Sequence, residues 1–180
     1  MTTKPVWLLD IDGVINANRP GWSTAPRKVS CAGLTIRWAP TLIVRIRQLH
    51  RAGHVDIRWS STWCGYPAQL DELSTRFGVE FPLAFGDRPP SKTWADLKVE
   101  AAIDVLSCGQ RLVWTDDDEV DAARHLFPQL AEAEADGRAL LIAPRSSRGL
   151  QPGDLDAIEA FATAPGQAQP ASSSQPDGGS

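Results

Sequence analysis

Two carboxylates, Asp10 and Asp12, are the first side chains in the sequence whose types and spacing could do chemistry. They follow four apolar residues at positions 6–9 and precede Gly13. An apolar run that ends in polar residues and a glycine is typical of a buried strand with a turn at its carboxyl end. Open α/β sheets bind their ligands beyond that end of their strands. Asp10 and Asp12 are therefore candidate site residues.

A second acidic cluster, Asp116, Asp117 and Asp118, follows another apolar run at positions 112–115. If both runs are strands of one parallel sheet, the two acidic clusters lie at the same edge of that sheet. Carboxylates gathered there repel one another unless a cation neutralises them. Mg²⁺ meets this need because it binds one or two carboxylates together with waters and a substrate phosphate. We therefore predict a magnesium-dependent phosphoryl-transfer site.

Each acidic cluster also has a simpler interpretation. The motif Asp-x-Asp-Gly arises by chance in about one chain in twenty of this length, and positions 10–13 could be a turn that its own side chains cap without a metal. Positions 116–118 could be a solvated turn that caps the next helix. A calcium-binding EF-hand fits poorly, because Val14 and Ile15 stand where such a loop needs further oxygen ligands.

The elements that must position these residues alternate between strands and helices, which predicts an α/β fold with a doubly wound, mostly parallel, Rossmann-like sheet. We expect strands near residues 6, 55, 81, 111 and 139, the third of them over Phe81–Phe85. We expect helices over residues 41–51, 67–77, 94–106 and 120–127, and over about 155–162. Pro128 is predicted to interrupt the fourth helix, and Gly153 and Asp154 to cap the last.

Residues 1–163 are predicted to form one domain. Within it, residues 14–38 are rich in Pro, Gly, Ser and Arg and are expected to form a flap after the first strand. This flap contains a predicted β-hairpin, with strands at 28–31 and 34–38. Residues 164–180 contain no core-forming residues and are predicted to be disordered.

Four motifs, taken together, resemble those of the haloacid dehalogenase (HAD) superfamily of phosphatases and phosphotransferases. The first is the run at positions 8–14, and the second is Ser60 at the end of the next predicted strand. The third is a lysine before a later strand, and the fourth is the acid pair Asp116 and Asp117 that ends that strand. The resemblance implies a HAD-like fold. Because only short segments follow the first two motifs, no large cap domain is expected.

The resemblance also implies separate roles for the first two carboxylates. Asp10 would be the nucleophile that forms an aspartyl-phosphate, and a carboxylate is already ionised at neutral pH. Asp12 would protonate the leaving oxygen and then activate a water molecule, while its backbone carbonyl binds the metal. The implied magnesium ligands are Asp10, Asp12, Asp116 and Asp117, with Asp118 as an alternative to the last two.

For the phosphate-binding hydroxyl and for the lysine, more than one nearby residue could take the role that the resemblance implies. Ser60 would bind a phosphoryl oxygen, but Ser61 and Thr62 also offer hydroxyls, and we include Ser61 among the substrate-binding residues. Lys98 or Lys92 would be the lysine that neutralises charge on the nucleophile and the transferring group. We favour Lys98 because it begins an apolar helical run that leads into the last catalytic strand. Lys92 would then bind substrate.

An open site suits a phosphate that projects from something large. Eight of the nine charged residues between positions 13 and 58 are basic. This charge, and the similarity to small capless HAD domains of nucleic-acid end repair, favour a nucleotide or a polynucleotide 3′-phosphate as substrate. A solvated helix face around Arg47 and Arg51 would explain part of the charge equally well. Two alternatives stay open, a small-metabolite phosphatase with the flap as a lid and a non-catalytic module that binds phosphate or metal.

Composition limits the other function classes. The net charge of −4 argues against a protein that coats nucleic acid over its whole surface. Cys31, Cys64 and Cys108 are odd in number and far apart, which predicts neither a disulfide framework nor a zinc knuckle. No apolar segment is long enough for a signal peptide or a membrane span. We expect a cytoplasmic protein with no membrane contact and no obligate protein partner.

Five further residues rank lower as site candidates. His50 and His54 are four apart but lack a third ligand, so a zinc site is not favoured. Trp22 and Trp63 could stack on a base or sugar, although core or rim packing is the better interpretation. The thiol of Cys64 has no paired histidine and is expected to be inert.

Overall fold

The computed structural model describes residues 4–165 of the chain. The predicted disorder of residues 164–180 therefore falls almost wholly outside the described residues and stays a prediction. Within residues 4–165, strands and helices alternate as the sequence indicates. The strands are β1 (Val6–Leu9), β2 (Arg27–Cys31), β3 (Leu34–Trp38), β4 (Asp56–Trp59), β5 (Leu112–Thr115) and β6 (Ala139–Ile142). The helices are α1 (Pro40–Arg51), α2 (Pro67–Phe77), α3 (Trp94–Ser107), α4 (Glu119–Leu126), α5 (Pro128–Ala135) and α6 (Pro152–Thr163), and a 3₁₀ turn covers Thr62–Gly65.

The main sheet has four parallel strands in the order β4-β1-β5-β6. Leu9, the last residue of β1, lies opposite Trp59 of β4 and Thr115 of β5. All four strands therefore end at one edge, which we call the carboxyl edge; the opposite edge is the amino edge. The predicted α/β fold with a mostly parallel, Rossmann-like sheet flanked by helices is confirmed.

Helices cover both faces of this sheet because successive side chains of a strand point to opposite faces. Trp7 and Leu9 of β1 pack in a core with apolar residues of α1, α2 and α6. Val6 and Leu8 pack in a second core with α3, α4 and α5. Each fully buried leucine or valine contributes about 1.5–3 kcal/mol relative to an exposed one. The two cores hold β1 rigidly and so fix the position of the residues that follow it.

The flap contains the predicted hairpin. β2 and β3 pair antiparallel, with Cys31 opposite Leu34. The two turn residues, Ala32 and Gly33, have φ angles of 51° and 78°, as the tight turn of a two-residue hairpin requires. Ala32 is the only non-glycine residue with a positive φ among residues 4–165. The hairpin is anchored by Trp38, whose ring packs edge-on against Phe77 of α2 at 5.3 Å.

The predicted third strand over Phe81–Phe85 is wrong. Only Leu83 pairs with the sheet, through a single parallel bridge to Trp59. The backbone N–H of Trp59 donates to the carbonyl of Pro82, and that of Ala84 to the carbonyl of Trp59. Pro82 has no N–H group to donate to a ladder, so the segment follows β4 for one pair only.

The predicted interruption of the fourth helix at Pro128 is confirmed, since α4 ends at Leu126. Pro128 is also the first residue of α5, a helix that was not predicted, because proline has the right φ and needs no N–H partner at that position. The last helix begins at Pro152, three residues earlier than expected. Its cap is Gln151, whose backbone N–H donates to Asp154 at 2.7 Å.

Arg111 fastens the end of α6 to the amino edge of the sheet. It directly precedes β5, and its guanidinium donates to the carbonyls of Phe161 and Ala164 at 2.6 and 3.1 Å. The same group lies over the Phe161 ring, 4.0 Å from its centroid. The last described residues are therefore held at the amino edge.

Within residues 4–165, no helix has the length and apolarity needed to cross a membrane. The cytoplasmic location stays a prediction.

Candidate active site

A buried cluster of Asp10, Lys98 and Asp116 lies at the carboxyl edge of the sheet. The ammonium of Lys98 donates to Asp10 Oδ2 at 2.7 Å and lies 2.8 Å from Asp116 Oδ2. The residues are 4%, 3% and 0% exposed, respectively. A buried ammonium is tolerated only when anionic partners replace its lost hydration. Lys98 is therefore fixed between the first and the second acidic cluster.

The backbone explains why the two carboxylates converge. β1 and β5 are neighbouring parallel strands of equal length, so Asp10 and Asp116 follow their last paired residues. Asp10 Oδ1 accepts a hydrogen bond from the Ile11 N–H at 2.6 Å. Asp116 Oδ1 accepts from the N–H groups of Asp118 and Glu119 at 3.1 and 3.0 Å, at the start of α4. Asp116 thus caps α4, as the simpler interpretation expected, but it is buried rather than solvated.

Burial and charge shift the pKa values of this cluster in different directions. Burial raises the pKa of the Asp10 carboxyl, against the opposing charge of Lys98. Burial also raises the pKa of Glu119, whose carboxylate lies 3.5 Å from Lys98 and close to Asp116. Burial acts the same way on Asp116, but hydrogen bonds from Glu119 and the charge of Lys98 outweigh it and lower its pKa. The pKa of Lys98 is raised because Asp10 and Asp116 overcome the effect of burial.

Asp117 completes a carboxylate group that could hold a cation. One ligand oxygen from each of Asp10, Asp116 and Asp117 lies within 4.8 Å of the others. Asp117 lies over Gly13, so a Cβ at that glycine would overlap its carboxylate. Gly13 also has a φ of 68°, which favours glycine. By contrast, Asp118 is exposed at the start of α4.

The donor set fits a hard divalent cation. Three carboxylates face a single ammonium there, so the group carries excess negative charge that a cation would balance. All three offer the oxygen ligands that Mg²⁺ and similar cations prefer, without being specific to Mg²⁺. The neighbouring Ser60 hydroxyl is fully buried and has no hydrogen-bond partner among the described residues, as expected for a donor that awaits a ligand.

The side chain of Asp12 is held apart from this carboxylate group. Its Oδ1 accepts from the Asn16 amide and its Oδ2 from the Trp63 indole N–H, both at 2.7 Å. The cation group therefore does not include the Asp12 carboxylate, and the metal contact predicted for Asp12 was through its backbone carbonyl. A role for its backbone carbonyl stays a prediction. The carboxylate is instead oriented toward the flap and the 3₁₀ turn.

Ser60 and Ser61 follow β4, and both are fully buried. The backbone N–H of Ser60 donates to the carbonyl of Leu9 at 2.9 Å, which places Ser60 beside Asp10. The hydroxyl of Ser61 accepts from the backbone N–H of Trp63 at 3.5 Å. Burial raises the pKa of Asp10, and hydrogen bonding from Ser61 opposes part of that rise. The structure therefore brings both predicted serines to the site.

The structure distinguishes the two lysines that spacing left open. Lys98 is buried in the cluster, whereas Lys92 is half-exposed and pairs with Glu100 at 2.6 Å on the outer side of α3. Lys92 is not part of the cluster around Asp10, so the structure lends no support to its predicted substrate-binding role.

Sequence reasoning missed Asn16 and Glu119, and it considered Trp63 only for stacking or packing. Asn16 and Trp63 hold Asp12, and Glu119 approaches Lys98. Glu119 follows Asp116 by three residues, the spacing that brings side chains together in a first helical turn. The indole N–H of Trp63 had no such local signal, because it depends on the packing of the 3₁₀ turn against β1.

The lower-ranked candidates lie outside the cluster. Trp22 donates its N–H to the carbonyl of Leu150 at 2.7 Å, in line with a packing role. His50 packs on Phe81, and the one group of three possible metal ligands within residues 4–165 contains no histidine. Burial raises the pKa of the Cys64 thiol to about 11, so this thiol is protonated at neutral pH.

Comparisons of this chain with family models, with curated proteins and with solved structures found no match. The HAD resemblance of the four motifs stays a hypothesis.

Proposed function

We propose that the protein is a magnesium-dependent phosphomonoester hydrolase of the HAD type. The observation that carries the proposal is the buried ion cluster in which Lys98 joins Asp10 to Asp116, with Asp117 alongside. Such a cluster contributes little to stability that apolar residues of the same size would not provide. Perturbed groups that converge at the carboxyl edge of a parallel sheet are typical of catalytic sites instead.

In the first step, a carboxylate oxygen of Asp10 attacks the phosphorus atom of the substrate. The new O–P bond makes an aspartyl-phosphate, and the bond between phosphorus and the leaving oxygen breaks. The electron pair of that bond goes to the leaving oxygen, which takes a proton from the carboxyl group of Asp12.

In the second step, Asp12 takes a proton from a water molecule as its oxygen attacks phosphorus. The bond between phosphorus and Asp10 breaks, which releases phosphate and restores both aspartates. Asn16 and Trp63 each hold one oxygen of Asp12, so its orientation is set before the substrate binds.

Lys98 and Ser60 act on the phosphoryl group during both steps. The ammonium of Lys98 reduces the repulsion between Asp10 and the phosphoryl oxygens, and the free hydroxyl of Ser60 donates to one of them. Asp10, Asp116 and Asp117 would hold the cation. When bound, Mg²⁺ supplies positive charge against the phosphoryl oxygens.

A nucleotide or a polynucleotide 3′-phosphate is the substrate we propose. Arg145 and Arg148 line a cavity of about 480 Å³ next to the loop that carries Ser146. Ser146 lies close enough to Asp117 to oppose the rise that burial causes in the pKa of Asp117. Arg19 lies against the same loop, its backbone N–H donating to the carbonyl of Ser147. These arginines form no ion pair within residues 4–165 and offer charge for further phosphates.

Salt dependence distinguishes this substrate from a small metabolite. We expect kcat/KM on a 3′-phosphorylated oligonucleotide to fall steeply with salt through counterion release, and to fall less steeply after Arg145→Gln or Arg148→Gln. Arg51→Gln, at the amino-edge end of α1, is the matched control. Equal salt dependence on the oligonucleotide and on phenyl phosphate would argue for a small-metabolite enzyme.

Hydrolysis of phenyl phosphate, with Mg²⁺ and with a chelator, tests the proposed reaction. We expect activity that requires the cation and that Asp10→Asn reduces by about a thousandfold or more. Acid-quenched wild-type protein should carry a phosphoryl group on the peptide that contains Asp10, as read by mass spectrometry. The control is Asp104→Asn, an exposed aspartate of α3. Activity that survives Asp10→Asn would disprove the nucleophile assignment.

A further inference from the structure

We infer that a cleft beside Asp12 binds a planar aromatic ring on the leaving-group side of the substrate. The cleft has a volume of about 280 Å³ and is lined by Asp12, Ala32, Leu34, Thr62, Trp63 and Tyr66. This inference rests on the proposed function, because it assigns the part of the substrate that departs from phosphorus. It goes further in naming the chemical class of that part.

The position of the cleft relates it to the leaving group. In the proposed reaction Asp12 donates its proton to the leaving oxygen, so the atoms attached to that oxygen must lie next to the Asp12 carboxylate. The Asp12 carboxylate is itself part of the cleft wall. The cation group of Asp10, Asp116 and Asp117 does not line the cleft. The cleft is therefore on the side where the leaving group departs.

The lining residues indicate an apolar, aromatic ligand. Leu34 and Tyr66 are 55% and 57% exposed and are two of the five large hydrophobic residues exposed within residues 4–165. Two of these five thus line one small cleft, whereas scattered exposed hydrophobic residues would need no explanation. Tyr66 offers an exposed ring for stacking, and the Trp63 ring, 5% exposed, forms part of the cleft wall. Asp12 is the only charged residue of the lining, so a second phosphate would find no partner there.

The size of the cleft limits the ligand to one ring system. Pockets for drug-sized ligands have volumes of about 300–1,000 Å³, and this cleft is at the lower end. It can hold one aromatic group next to Asp12, while the remainder of a larger substrate extends into solvent. The neutral polar groups among the lining side chains are the hydroxyls of Thr62 and Tyr66 and the indole N–H of Trp63. Of these, the Thr62 hydroxyl is the one that does not belong to an aromatic residue.

The backbone of the flap also fits a binding role. Ala32 adopts a φ of 51° at the tip of the hairpin, where asparagine or glycine is usually found. A positive φ costs an alanine about 1–2 kcal/mol. Strain of this kind persists where a site uses the residue. Here the alanine keeps the tip small and apolar where it lines the cleft.

Two sources of ring are distinguished by the choice of substrates. Phenyl phosphate represents an aryl ester, and adenosine 3′-monophosphate represents a nucleoside. Ethyl phosphate carries the same phosphate without a ring. The intrinsic reactivity of the three esters differs, but it cancels when the ratio of kcat/KM values in a variant is divided by the ratio in the wild type.

The kinetic test uses Leu34→Ala and Tyr66→Ala. We expect each to lower kcat/KM for the preferred ring substrate relative to ethyl phosphate by about five- to a hundredfold. Leu126→Ala, an exposed leucine of α4 that does not line the cleft, is the matched control and should leave the ratio unchanged. Equal effects of Leu34→Ala and Tyr66→Ala on ring and ethyl substrates would overturn the inference.

A binding measurement separates this inference from the proposed reaction. Calorimetry of Asp10→Asn protein should show phenyl phosphate or adenosine 3′-monophosphate bound at least about fivefold more tightly than ethyl phosphate, and Tyr66→Ala should remove the difference. If the wild type hydrolyses none of the esters, the proposed function fails while the binding difference still supports the cleft. If all three ligands bind alike, the cleft assignment fails even when hydrolysis is observed.

Discussion

Among residues 4–165, Lys98 is the single side-chain cation paired with the buried carboxylates Asp10 and Asp116. Its ammonium contacts Asp10 and Asp116 at less than 3 Å and Glu119 at 3.5 Å. Because Asp10 and Asp116 are shielded from water, removal of the one positive charge would leave their carboxylates without compensation. Catalysis and stability are thus linked at this residue.

Lys98→Met should therefore reduce both the catalytic activity and the stability of the protein. We expect the free energy of unfolding to fall by about 3–5 kcal/mol, the cost of breaking a buried ion pair, and phosphatase activity to be lost. Urea unfolding followed by tryptophan fluorescence measures the first, and hydrolysis of phenyl phosphate the second. Lys92→Met should lower the free energy of unfolding by less than about 1 kcal/mol, because its pair with Glu100 is exposed. If Lys92→Met abolishes activity and Lys98→Met does not, the roles of the two lysines are reversed.

Gly13 allows a sharper test of the cation group. In Gly13→Ala the new methyl group overlaps the Asp117 carboxylate, so Asp117 must move away from Asp10 and Asp116. We expect weaker Mg²⁺ activation, measured as a higher Mg²⁺ concentration for half-maximal rate. Gly53→Ala is the matched control, since Gly53 has a φ of 71° with open space around it. Gly53→Ala should lose about 1–2 kcal/mol of stability because alanine disfavours a positive φ, and Gly13→Ala should lose at least as much. Only Gly13→Ala should change the response to Mg²⁺. Equal responses would exclude Asp117 as a ligand.

At the scale of elements, the flap is bonded to the segment that carries the proposed acid. Asn16 donates to Asp12, and its own side-chain oxygen accepts from the Arg37 N–H of β3 at 2.8 Å. The next residue, Ala17, donates its N–H to the carbonyl of Arg37. A movement of the hairpin would therefore be transmitted to the Asp12 side chain through the amide of Asn16.

Asn16→Ala should remove this connection and loosen Asp12. An alkoxide leaving group needs a proton, whereas a nitrophenolate does not, so we expect kcat on ethyl phosphate to fall more than kcat on 4-nitrophenyl phosphate. A loss of about tenfold in the ratio is reasonable for one misplaced acid. Asn18→Ala, an exposed asparagine of the flap, is the control. Equal losses on the two substrates would mean that Asn16 acts on folding and not on Asp12.

At the scale of the whole molecule, the sheet gathers residues that are far apart in the chain. The apolar runs before Asp10 and Asp116 were sufficient to predict two parallel strands of one sheet, with the two acidic clusters at the same edge. That the two strands are neighbours is a finding of the structure. The choice between Lys92 and Lys98 was not settled by spacing alone, because it depends on which face of α3 turns toward the sheet. The contact between Trp63 and Asp12 spans 51 positions and has no periodic signal.

Three of the differences in element bounds lie at prolines. The fourth helix breaks at Pro128 as expected, but Pro128 also begins α5, which was not predicted, and Pro152 begins the last helix, which was expected to start after it. Pro82 was accepted within a strand, although it cannot donate to a ladder. At each position the residue type restricts φ but does not say on which side of it the regular element lies.

The burial of the thiols gives a test of the whole fold. Cys31 and Cys64 are buried, and Cys108 is exposed at the end of α3. Burial raises the pKa of the Cys31 and Cys64 thiols, so their reactive thiolate forms are scarce. Alkylation of native protein at pH 8 should modify Cys108 first and the other two only after urea is added, as read by peptide mass spectrometry. Rapid labelling of Cys64 in native protein would contradict the packing of the 3₁₀ turn.

The hydrogen bonds between Arg111 and the end of α6 have a practical consequence. Residue 165 leaves the described fold at the amino edge of the sheet, and Lys4, which precedes β1, lies at the same edge and pairs with Asp56. A bead, a chip surface or a fusion partner attached at either of these points would therefore face away from Asp10. Immobilised protein should keep its access to large substrates whichever of the two attachment points is used.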